Sequence, residues 1–534
     1  MKVRRLFNYF LKLRRSFKKI SLLNFNQITL YQYFKGLKQD TEPPQATMLV
    51  QCVEDSFFFG LFGQIVVSLR EQQSVRVEQF ILRSLNVGES ESFWTFTKTR
   101  CVISKLYSRK WIDLYSSFCD SVGYNSTSVQ PFNDLVDLYR AWRCWNEVNT
   151  KKTLINLVID DVLVGDLVND SYLRFKPAPT VNFKDRYLWV VIWQTYRDVR
   201  RAKEYFLRVK PKIYLTSYTT YIQHGIALRV ALQNGVKVFS FSNYQEFAKE
   251  LTIGDWLHTK NSDSYAKDFA KLQEKEEKFA QAESALSNRL VGIADAATAY
   301  MKKSAYSESS KSIAPNMNGK VVIFLHDFFD SPHVYREMVF PDFWEWICFT
   351  IETLENANID FYIKPHPNQI NLSEGVIAQL MASYPAIKFV SSDINNKQLA
   401  DAGIACAITV YGTVAHEMAY LGIPTIACAR HPHISFDFCK TAKNREEYTE
   451  MLKSYNVIEV DKFKLRQQSL MFYYMHNLSA GDGEKSLRNA YLNFHKVSGE
   501  ADNENYELIS HLNQIAIQPR FKSYLSKWLI ELRV

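Results

Sequence analysis

The chain alternates short runs of β-branched residues with longer helical runs, and this alternation occurs twice. In the first half, "ATMLVQCVE" and "KVFSFS" predict strands, whereas "SFFFGLFGQIVVSLREQ" and "IQHGIALRVALQNG" predict helices. In the second half, the predicted strands are "KVVIFLH", "IDFYIK", "GIACAITV" and "IPTIACA". Strands that alternate with helices form parallel βαβ units. The sequence therefore predicts an α/β fold with two Rossmann-like, doubly wound domains.

The two halves are separated by "KKSAYSESSKSIAPNMNGK", whose Ser, Pro, Asn and Gly content is typical of a linker. We predict a basic amphipathic segment over 1–40, a first Rossmann-like domain over 41–304, a linker over 305–319, a second Rossmann-like domain over 320–500 and a helical segment over 501–534. The last segment ends in the amphipathic, basic "RFKSYLSKWLIELRV". Its apolar face either packs on the first domain or contacts a membrane.

Positive charge is concentrated at the N-terminus. The chain has a net charge of +9, but residues 1–39 hold ten Lys or Arg and no acidic residue, so the rest of the chain is nearly neutral. In "MKVRRLFNYFLKLRRSFKKI" the apolar residues follow helical spacing and the basic residues lie mostly elsewhere around the helix. The pattern predicts a basic amphipathic helix.

Such a helix either lies on an anionic membrane surface or docks on its own protein. Charges interrupt its apolar residues, which disfavours a cleaved signal peptide, and no run of 18 apolar residues indicates a membrane span. A nucleic-acid-binding protein would need basic residues on a folded face as well, so we expect no nucleic-acid partner.

Composition favours a folded protein of a reducing compartment. With 47% hydrophobic residues the chain can bury large cores, which excludes wholesale disorder. The eight cysteines form no CxxC pair, and most lie in apolar runs such as "GIACAITV". We therefore expect reduced cysteines and a cytoplasmic location.

The segment "FYIKPHPNQI" places a lysine and a histidine directly after a predicted strand. Pro365 and Pro367 restrict the backbone on both sides of His366. Ligands of parallel sheets bind beyond the carboxyl ends of the strands, and a stiff loop loses little entropy on binding. Lys364, His366 and Asn368 are therefore candidate donors to phosphate oxygens, although a proline-bounded turn with a purely structural histidine gives the same pattern.

The segment "VYGTVAHEMAYLGIPTI" predicts a strand, a Gly-Thr turn and a helix that begins at once. Backbone N–H groups at such a helix start suit a phosphate. We predict donor binding by Gly412, Thr413 and His416, with Glu417 accepting hydrogen bonds from ribose hydroxyls. A simple capped helix, with Thr413 as the cap and His416 on the surface, is the alternative.

The segment "FLHDFFDSPHVYREMVFPD" follows the first strand of the second half and supplies His326 and Asp330 as candidate catalytic residues. Histidine and aspartate together also occur in metal sites. Six of the eleven histidines, however, lie between residues 326 and 433 in separate strand-end loops. That distribution favours a phosphate-binding cleft, and we expect no metal and no cofactor.

In the first half, "TLINLVID" predicts a strand, and a polar loop follows it. The loop contains several charged residues, namely Asp160, Asp161, Asp166, Asp170, Arg174 and Lys176. Asp170 or Asp166 is a candidate general base that would deprotonate an acceptor hydroxyl. Arg174 and His224, which opens a predicted helix, are candidates for the acceptor side. A loop that only caps and solvates is the alternative.

These residues resemble a family. "KPHPN", followed by "YGTVAHEMAYLGIPTI" and "RHPHISFDF", together with "GDLVNDSYLR", resembles bacterial capsule and surface-polysaccharide biosynthesis proteins of the GT-B glycosyltransferase type. The resemblance covers roughly residues 150–440 and implies a nucleotide donor on the second domain and an acceptor on the first. Lys364 and His366 match the element shared with teichoic-acid glycerophosphotransferases. Those enzymes usually carry a serine pair where this chain has Gly412 and Thr413.

The resemblance implies a transferase that moves a sugar from a nucleotide-activated donor to a surface polysaccharide or lipid-linked glycan acceptor, and we expect it to be independent of metal. Its expected location is cytoplasmic, at the inner face of the membrane through the basic N-terminus. Three alternatives remain open: a glycerophosphotransferase-type polymer transferase, a nucleotide-sugar epimerase and a non-enzymatic polysaccharide assembly factor.

Overall fold

The computed structural model describes residues 23–38, 46–82, 109–176, 178–241, 245–293, 312–335, 337–367, 371–457, 461–499 and 507–533. The chain divides into two compact units. The first unit contains the described residues up to Lys176, those from Asn182 to His258 and those from Gly481 onward. The second contains 177–181 and Thr259–Ala480. The predicted basic helix of residues 1–20 lies outside the described residues.

The first unit is built on a six-stranded sheet with the order β3-β2-β1-β6-β7-β8. Its strands are β1 (Ala46–Cys52), β2 (Val75–Ile81), β3 (Ser121–Asn125), β6 (Ile213–Thr216), β7 (Lys237–Ser240) and β8 (Lys249–Leu251). All neighbours pair in parallel except β7 and β8. The strands β1, β2 and β6 are almost entirely buried, as expected for a parallel sheet covered on both faces.

Helices cover both faces of this sheet. They are α1 (Phe25–Leu37), α2 (Ser56–Arg70), α3 (109–115), α4 (Pro131–Glu147), α5 (Lys151–Ile155), α6 (Gly165–Phe175), α7 (Arg186–Val209) and α8 (Tyr221–Gln233). The helix α2 begins where the side chain of Asp55 accepts hydrogen bonds from two backbone N–H groups, and every residue from Ser56 to Leu69 is buried. A helix that is apolar around its whole circumference is typical of a buried core element.

The prediction of a single strand at "TLINLVID" is wrong. Residues 151–155 form the helix α5, and a small antiparallel hairpin of β4 (Val158–Ile159) and β5 (Val162–Leu163) follows it. Asp160 and Asp161 have φ angles of 46° and 65°. Two residues with positive φ form the tight turn that joins twisted antiparallel strands, and aspartate tolerates that conformation. The two aspartates therefore belong to a hairpin turn and not to a strand end of the main sheet.

The C-terminal helices belong to the first unit. They are α17 (Asp482–Gly499), α18 (Leu508–Ala516) and α19 (Pro519–Arg533). Trp528 is fully buried, with its ring 5.4 Å from that of Phe239 and 5.9 Å from that of Phe241. Phe494 lies directly over Gly60 of α2, where an added Cβ would come within 2.4 Å of its ring. The apolar face of "RFKSYLSKWLIELRV" thus packs on its own protein.

The second unit is also built on a six-stranded sheet, in the order β11-β10-β9-β12-β13-β14. Its strands are β9 (Val321–Phe324), β10 (Phe361–Lys364), β11 (Lys388–Phe389), β12 (Cys406–Ile408), β13 (Thr425–Ala427) and β14 (Cys439–Thr441), all paired in parallel. The described parts of both units confirm the coarse prediction of an α/β protein with two sheets of largely parallel strands.

Helices of the second unit surround this sheet. They are α9 (Tyr265–Lys271), α10 (Lys275–Leu290), α11 (Phe343–Asn356), α12 (Asn371–Ser383), α13 (Asn396–Asp401), α14 (Val414–Tyr420), α15 (Arg445–Lys453) and α16 (Lys462–Tyr473), with short 3₁₀ and π turns at Tyr455–Val457 and Tyr474–Leu478. The helices α9 and α10 precede the predicted linker, yet they pack in this unit. Leu286 and Leu290 lie in one apolar cluster with Ala415 and Tyr420 of α14. Within the described residues, no helix is long and apolar enough to cross a membrane.

Candidate functional site

The sheet of the second unit reverses its winding direction at β9. From β9 the chain proceeds outward to β10 and β11, then returns to place β12 on the other side of β9 and continues to β13 and β14. The loops that leave β9 and β12 therefore diverge at the carboxyl edge of the sheet. In open parallel sheets this divergence forms the crevice in which ligands bind.

His326 and Thr409 lie on either side of this crevice. His326 follows β9 and Thr409 follows β12, and His326 Nε2 is 3.1 Å from Thr409 Oγ1. The imidazole stacks on the ring of Phe343, with the centroids 4.9 Å apart and the planes within 6° of each other. Burial lowers the pKa of His326 to about 3. The side chain is therefore a neutral imidazole that is held in one orientation.

Lys364 is the last residue of β10, next to β9 at the same edge of the sheet. It is 4% exposed, and its ammonium group donates a hydrogen bond to the carbonyl oxygen of Ser392 at 3.3 Å. Burial lowers the pKa of Lys364 to about 8, against the opposing influence of the carboxylates of Glu417 and Asp393. A buried cation of this kind is stabilised by an anion that binds beside it.

His366 follows Lys364 and is half-buried. Burial lowers its pKa, the carboxylate of Asp327 raises it, and the positive charge of Lys364 lowers it further. The charge of His366 also depresses the pKa of His326. The loops after β9 and β10 thus bring together Lys364, His366, His326 and Asp327. Asn368, the remaining candidate of this segment, lies outside the described residues.

The two aspartates of the loop after β9 have different surroundings. Asp327 accepts hydrogen bonds from the backbone N–H of Phe329 at 3.0 Å and from Ser373 Oγ at 2.9 Å. Asp330, the candidate from the sequence, is exposed and accepts a hydrogen bond from the backbone N–H of Ser331 at 2.9 Å. The sequence places both aspartates after the strand, but spacing alone does not indicate that Asp327 is the one near His366.

In the Gly-Thr turn after β12, the side chain of Thr409 lies close to the Cα atom of Gly412. A Cβ on Gly412 would lie 2.8 Å from Thr409 Oγ1, so a side chain there would displace the threonine that faces His326. Thr413 is exposed, and its side chain makes no capping hydrogen bond. The alternative in which Thr413 simply caps the helix through its side chain is therefore wrong. The helix α14 has only seven residues. The glycine is therefore the constrained position of the turn.

Glu417 and His416 are both buried in α14. Glu417 Oε1 accepts hydrogen bonds from Arg289 at 3.0 and 3.1 Å, and Oε2 accepts one from Asn396 Nδ2 at 2.6 Å. Both carboxylate oxygens are therefore already engaged by protein donors, unlike the predicted contact with ribose. His416 is 2% exposed and packs against Phe472 and Tyr473. It does not lie on the surface.

In the first unit, Asp166 is engaged by a buried arginine. Asp166 Oδ1 is 2.7 Å from Arg229 Nη1, and Oδ2 is 2.5 Å from Arg229 Nη2. Such a bidentate pair favours the ionised carboxylate but occupies both of its oxygens. Asp166 is thus a structural partner of α8, which weakens its candidacy as a general base.

Asp170 and Arg174 lie on the same helix α6 as Asp166. Asp170 is 3% exposed and accepts a hydrogen bond from Asn169 Nδ2 at 3.2 Å. Arg174 lies in the last turn of α6 and is partly exposed. Asp170 and Asp166 are the two carboxylates that the sequence suggests as a base, and both accept hydrogen bonds from protein side chains.

His224 lies near the reversal point of the first sheet, between β1 and β6. It opens α8 and is 7% exposed, and burial lowers its pKa to about 3. Tyr218, which follows β6, has its ring 5.9 Å from that of His224 and 5.8 Å from that of His258. Tyr218 and His258 are not among the residues that the sequence pattern predicts for this site. The position of Tyr218 at the end of the strand "KIYLTSY" was a usable signal, whereas His258 is distant in sequence.

The chain matches no protein-family model and no curated protein. Among solved structures it is similar to the UDP-GlcNAc 2-epimerase of Methanocaldococcus jannaschii in complex with UDP-GlcNAc and UDP, at 9% identity and a TM-score of 0.26 over 79% of this chain and 97% of that chain. It is also similar to KpsC of Thermosulfurimonas dismutans, a β-Kdo 2,4 transferase, at 13% identity and a TM-score of 0.29 over 49% and 79% of the two chains. Likenesses at this level assign no activity.

Proposed function

We propose that the protein is a glycosyltransferase of the GT-B type that moves a sugar from a nucleotide-activated donor to a surface polysaccharide or lipid-linked acceptor. One observation carries the proposal: Lys364, His366 and His326 come together at the reversal point of the second sheet, where the buried ammonium of Lys364 has a lowered pKa. The donor diphosphate would bind there and add negative charge next to the ammonium group.

In this mechanism the second unit stabilises the leaving nucleotide. As the bond between the sugar and the diphosphate breaks, negative charge grows on the departing phosphate oxygen. Lys364 and His366 are fixed donors that need little reorganisation at that moment, which is the usual origin of electrostatic catalysis. Because the protein supplies a cation here, the proposed chemistry would not need a metal ion.

The acceptor would bind to the first unit, near His224 and Asp170. If the transfer inverts the anomeric carbon, a base must remove the proton of the acceptor hydroxyl. Asp170 and Asp166 are the candidates, and Asp166 would first have to leave its bidentate pair with Arg229. The protein would work in the cytoplasm at the membrane surface, to which the basic N-terminal segment would bind.

The first experiment measures nucleotide binding. Thermal shifts of the full chain are recorded with CMP, CDP, UDP, GDP and ADP, for the wild type and for His366→Ala and Lys364→Met. We expect one nucleotide to stabilise the wild type and neither variant. Lys388→Met is the matched control, because Lys388 lies at the opposite, amino-terminal edge of the same sheet and is exposed. It should bind nucleotide as the wild type does.

A second experiment distinguishes the alternatives. The selected nucleotide is supplied as its sugar conjugates, without acceptor and then with membrane lipid or glycan fractions, and products are followed by mass. Acceptor-dependent release of nucleotide supports the transferase. Conversion of the donor into an isomer of equal mass indicates an epimerase, and transfer of a phosphoglycerol unit from CDP-glycerol indicates a polymer transferase. A cooperatively melting protein that binds no nucleotide indicates an assembly factor.

A further inference from the structure

Two histidines and one cysteine meet inside the second unit, apart from the residues proposed to bind phosphate. His431 and His433 lie in the loop after β13, and Cys439 is the first residue of β14. Nitrogen and sulfur atoms of the three side chains all lie within 4.8 Å of one another. The exposed fractions are 1%, 1% and 5%. The three side chains are therefore almost entirely shielded from bulk solvent.

Each histidine of this cluster has a buried nitrogen with no hydrogen-bond partner among the described residues: Nδ1 of His431 and Nε2 of His433. A buried polar atom without a partner costs about 1–3 kcal/mol, so native proteins rarely leave two of them side by side. The two rings stack with their centroids 3.6 Å apart. Stacking accounts for the ring faces but leaves the two nitrogens without a hydrogen-bond partner among the described residues.

Thr441 fixes the orientation of His431. His431 Nε2 is 2.5 Å from Thr441 Oγ1. If Nε2 carries the proton and donates to this hydroxyl, Nδ1 has the free lone pair. Histidines that bind metals typically donate their second N–H to a neighbouring oxygen in this way, which fixes both the tautomer and the ring orientation.

We propose that His431, His433 and Cys439 bind a zinc ion through His431 Nδ1, His433 Nε2 and the Cys439 thiolate. Two imidazoles and a thiolate suit zinc, whereas magnesium and calcium prefer oxygen ligands, and the cluster contains no carboxylate. Zinc bonds of about 2.0–2.3 Å place tetrahedral ligand atoms roughly 3.3–3.8 Å apart. Ligand atoms of the three residues that lie within 4.8 Å of one another would therefore close by at most about 1.5 Å. On binding, the thiol releases its proton and the sulfur lone pair forms the bond to the metal.

The ion would tie two elements together, with a water molecule as the fourth tetrahedral ligand beside the three protein ligands. It would join the loop that contains His431 and His433 to the edge strand β14, which among the described strands pairs only with β13. None of the three ligands is a residue that we propose to bind the donor. The inference therefore stands independently of the proposed glycosyltransferase activity and of its expected independence from metal.

The test is metal analysis of the full chain purified with an affinity tag that contains no histidine. We expect about one zinc per chain after dialysis against equimolar zinc and then metal-free buffer, and less than a fifth of that in Cys439→Ala. Cys428→Ala is the control, because Cys428 is equally buried and is not part of the cluster. It should retain zinc as the wild type does.

Cobalt substitution keeps the test informative if Cys439→Ala folds poorly. A cobalt-loaded wild type should show the near-ultraviolet absorption of a cobalt–thiolate bond, and His433→Gln should lose at least half of the bound cobalt. Less than a tenth of an equivalent of zinc in the wild type after dialysis would overturn the proposal. So would full zinc retention in both Cys439→Ala and His433→Gln.

Discussion

His326 and Thr409 lie 3.1 Å apart across the reversal point of the second sheet, although 83 residues separate them in the chain. The contact joins the loops that leave β9 and β12, which are the two loops that diverge at this edge. A ligand that binds at this edge would therefore contact two loops that are already ordered. Ordering a loop before binding reduces the entropy that binding must overcome.

Lys364→Met should stabilise the protein while abolishing nucleotide binding. Burial lowers the pKa of Lys364 from 10.5 to about 8, so keeping the lysine charged at neutral pH costs free energy in the folded state relative to the unfolded chain. Removing the charge should raise the free energy of unfolding by about 1–3 kcal/mol, by the relation between pKa shifts and stability. Denaturant titration at pH 7 measures the change, with Lys388→Met as the control. A Lys364→Met variant less stable than the wild type would contradict this account.

The affinity for the nucleoside diphosphate should fall as the pH rises from 7 to 9.5. Lys364 has a pKa of about 8 in the free protein, so it is largely protonated at pH 7 and largely neutral at pH 9.5. An anion that binds the ammonium raises this pKa, and affinity should fall roughly tenfold or more over the interval. Isothermal titration calorimetry measures it. Lys364→Arg stays charged throughout and should show a much flatter pH profile; equal slopes would exclude Lys364 as the titrating group.

The free energy of unfolding should itself depend on pH through the same lysine. The folded-state pKa is lower than the unfolded one, so the unfolded chain binds the proton more tightly between pH 8 and 10.5. Stability from this group therefore rises with pH across that window and is lowest below it. The difference in unfolding free energy between Lys364→Met and the wild type should shrink from pH 7 to pH 10. A constant difference would show that the charge is not the cause.

Gly412→Ala should weaken nucleotide binding. The new methyl group would lie 2.8 Å from Thr409 Oγ1 and force that side chain away from His326. We expect a loss of affinity of several-fold and a destabilisation of about 1–3 kcal/mol. Gly375→Ala is the control, since Gly375 lies in α12 with no atom near its added Cβ and should gain about 0.5–1 kcal/mol. Unchanged affinity in Gly412→Ala would separate the turn from the binding site.

The alternation of strands and helices predicted the architecture because buried parallel strands carry a strong local signal. Strand ends at Lys364 and His326 also followed from that signal, since position along a strand determines the edge at which a side chain lies. Spacing failed at "TLINLVID", where the apolar residues suit either a helix or a strand and the Asp160–Asp161 turn was not recognised. Apolar periodicity alone does not separate these cases in short segments.

The partners of charged residues were not predictable from local sequence. Glu417 was expected to face a ribose, but Arg289, which is 128 residues away, engages it. Asp166 was a candidate base, but Arg229 holds it. In each case the partner lies on a helix whose docking depends on tertiary packing of apolar faces. The same reason explains why α10 and α17 pack in units other than those that their positions along the chain suggest.

Arg289→Met should be among the most damaging single changes in the second unit. Arg289 and Glu417 are 6% and 4% exposed, and removal of the guanidinium leaves a carboxylate buried without its cation. Breaking such a pair typically costs about 3–5 kcal/mol. The double variant Arg289→Met/Glu417→Leu should recover most of that loss, because both charges are gone. Denaturant titrations of the two single variants and the double variant give the coupling energy. If the double variant also binds nucleotide with wild-type affinity, the role of Glu417 is structural. A loss of nucleotide affinity in the double variant would instead support the predicted contact between Glu417 and ribose.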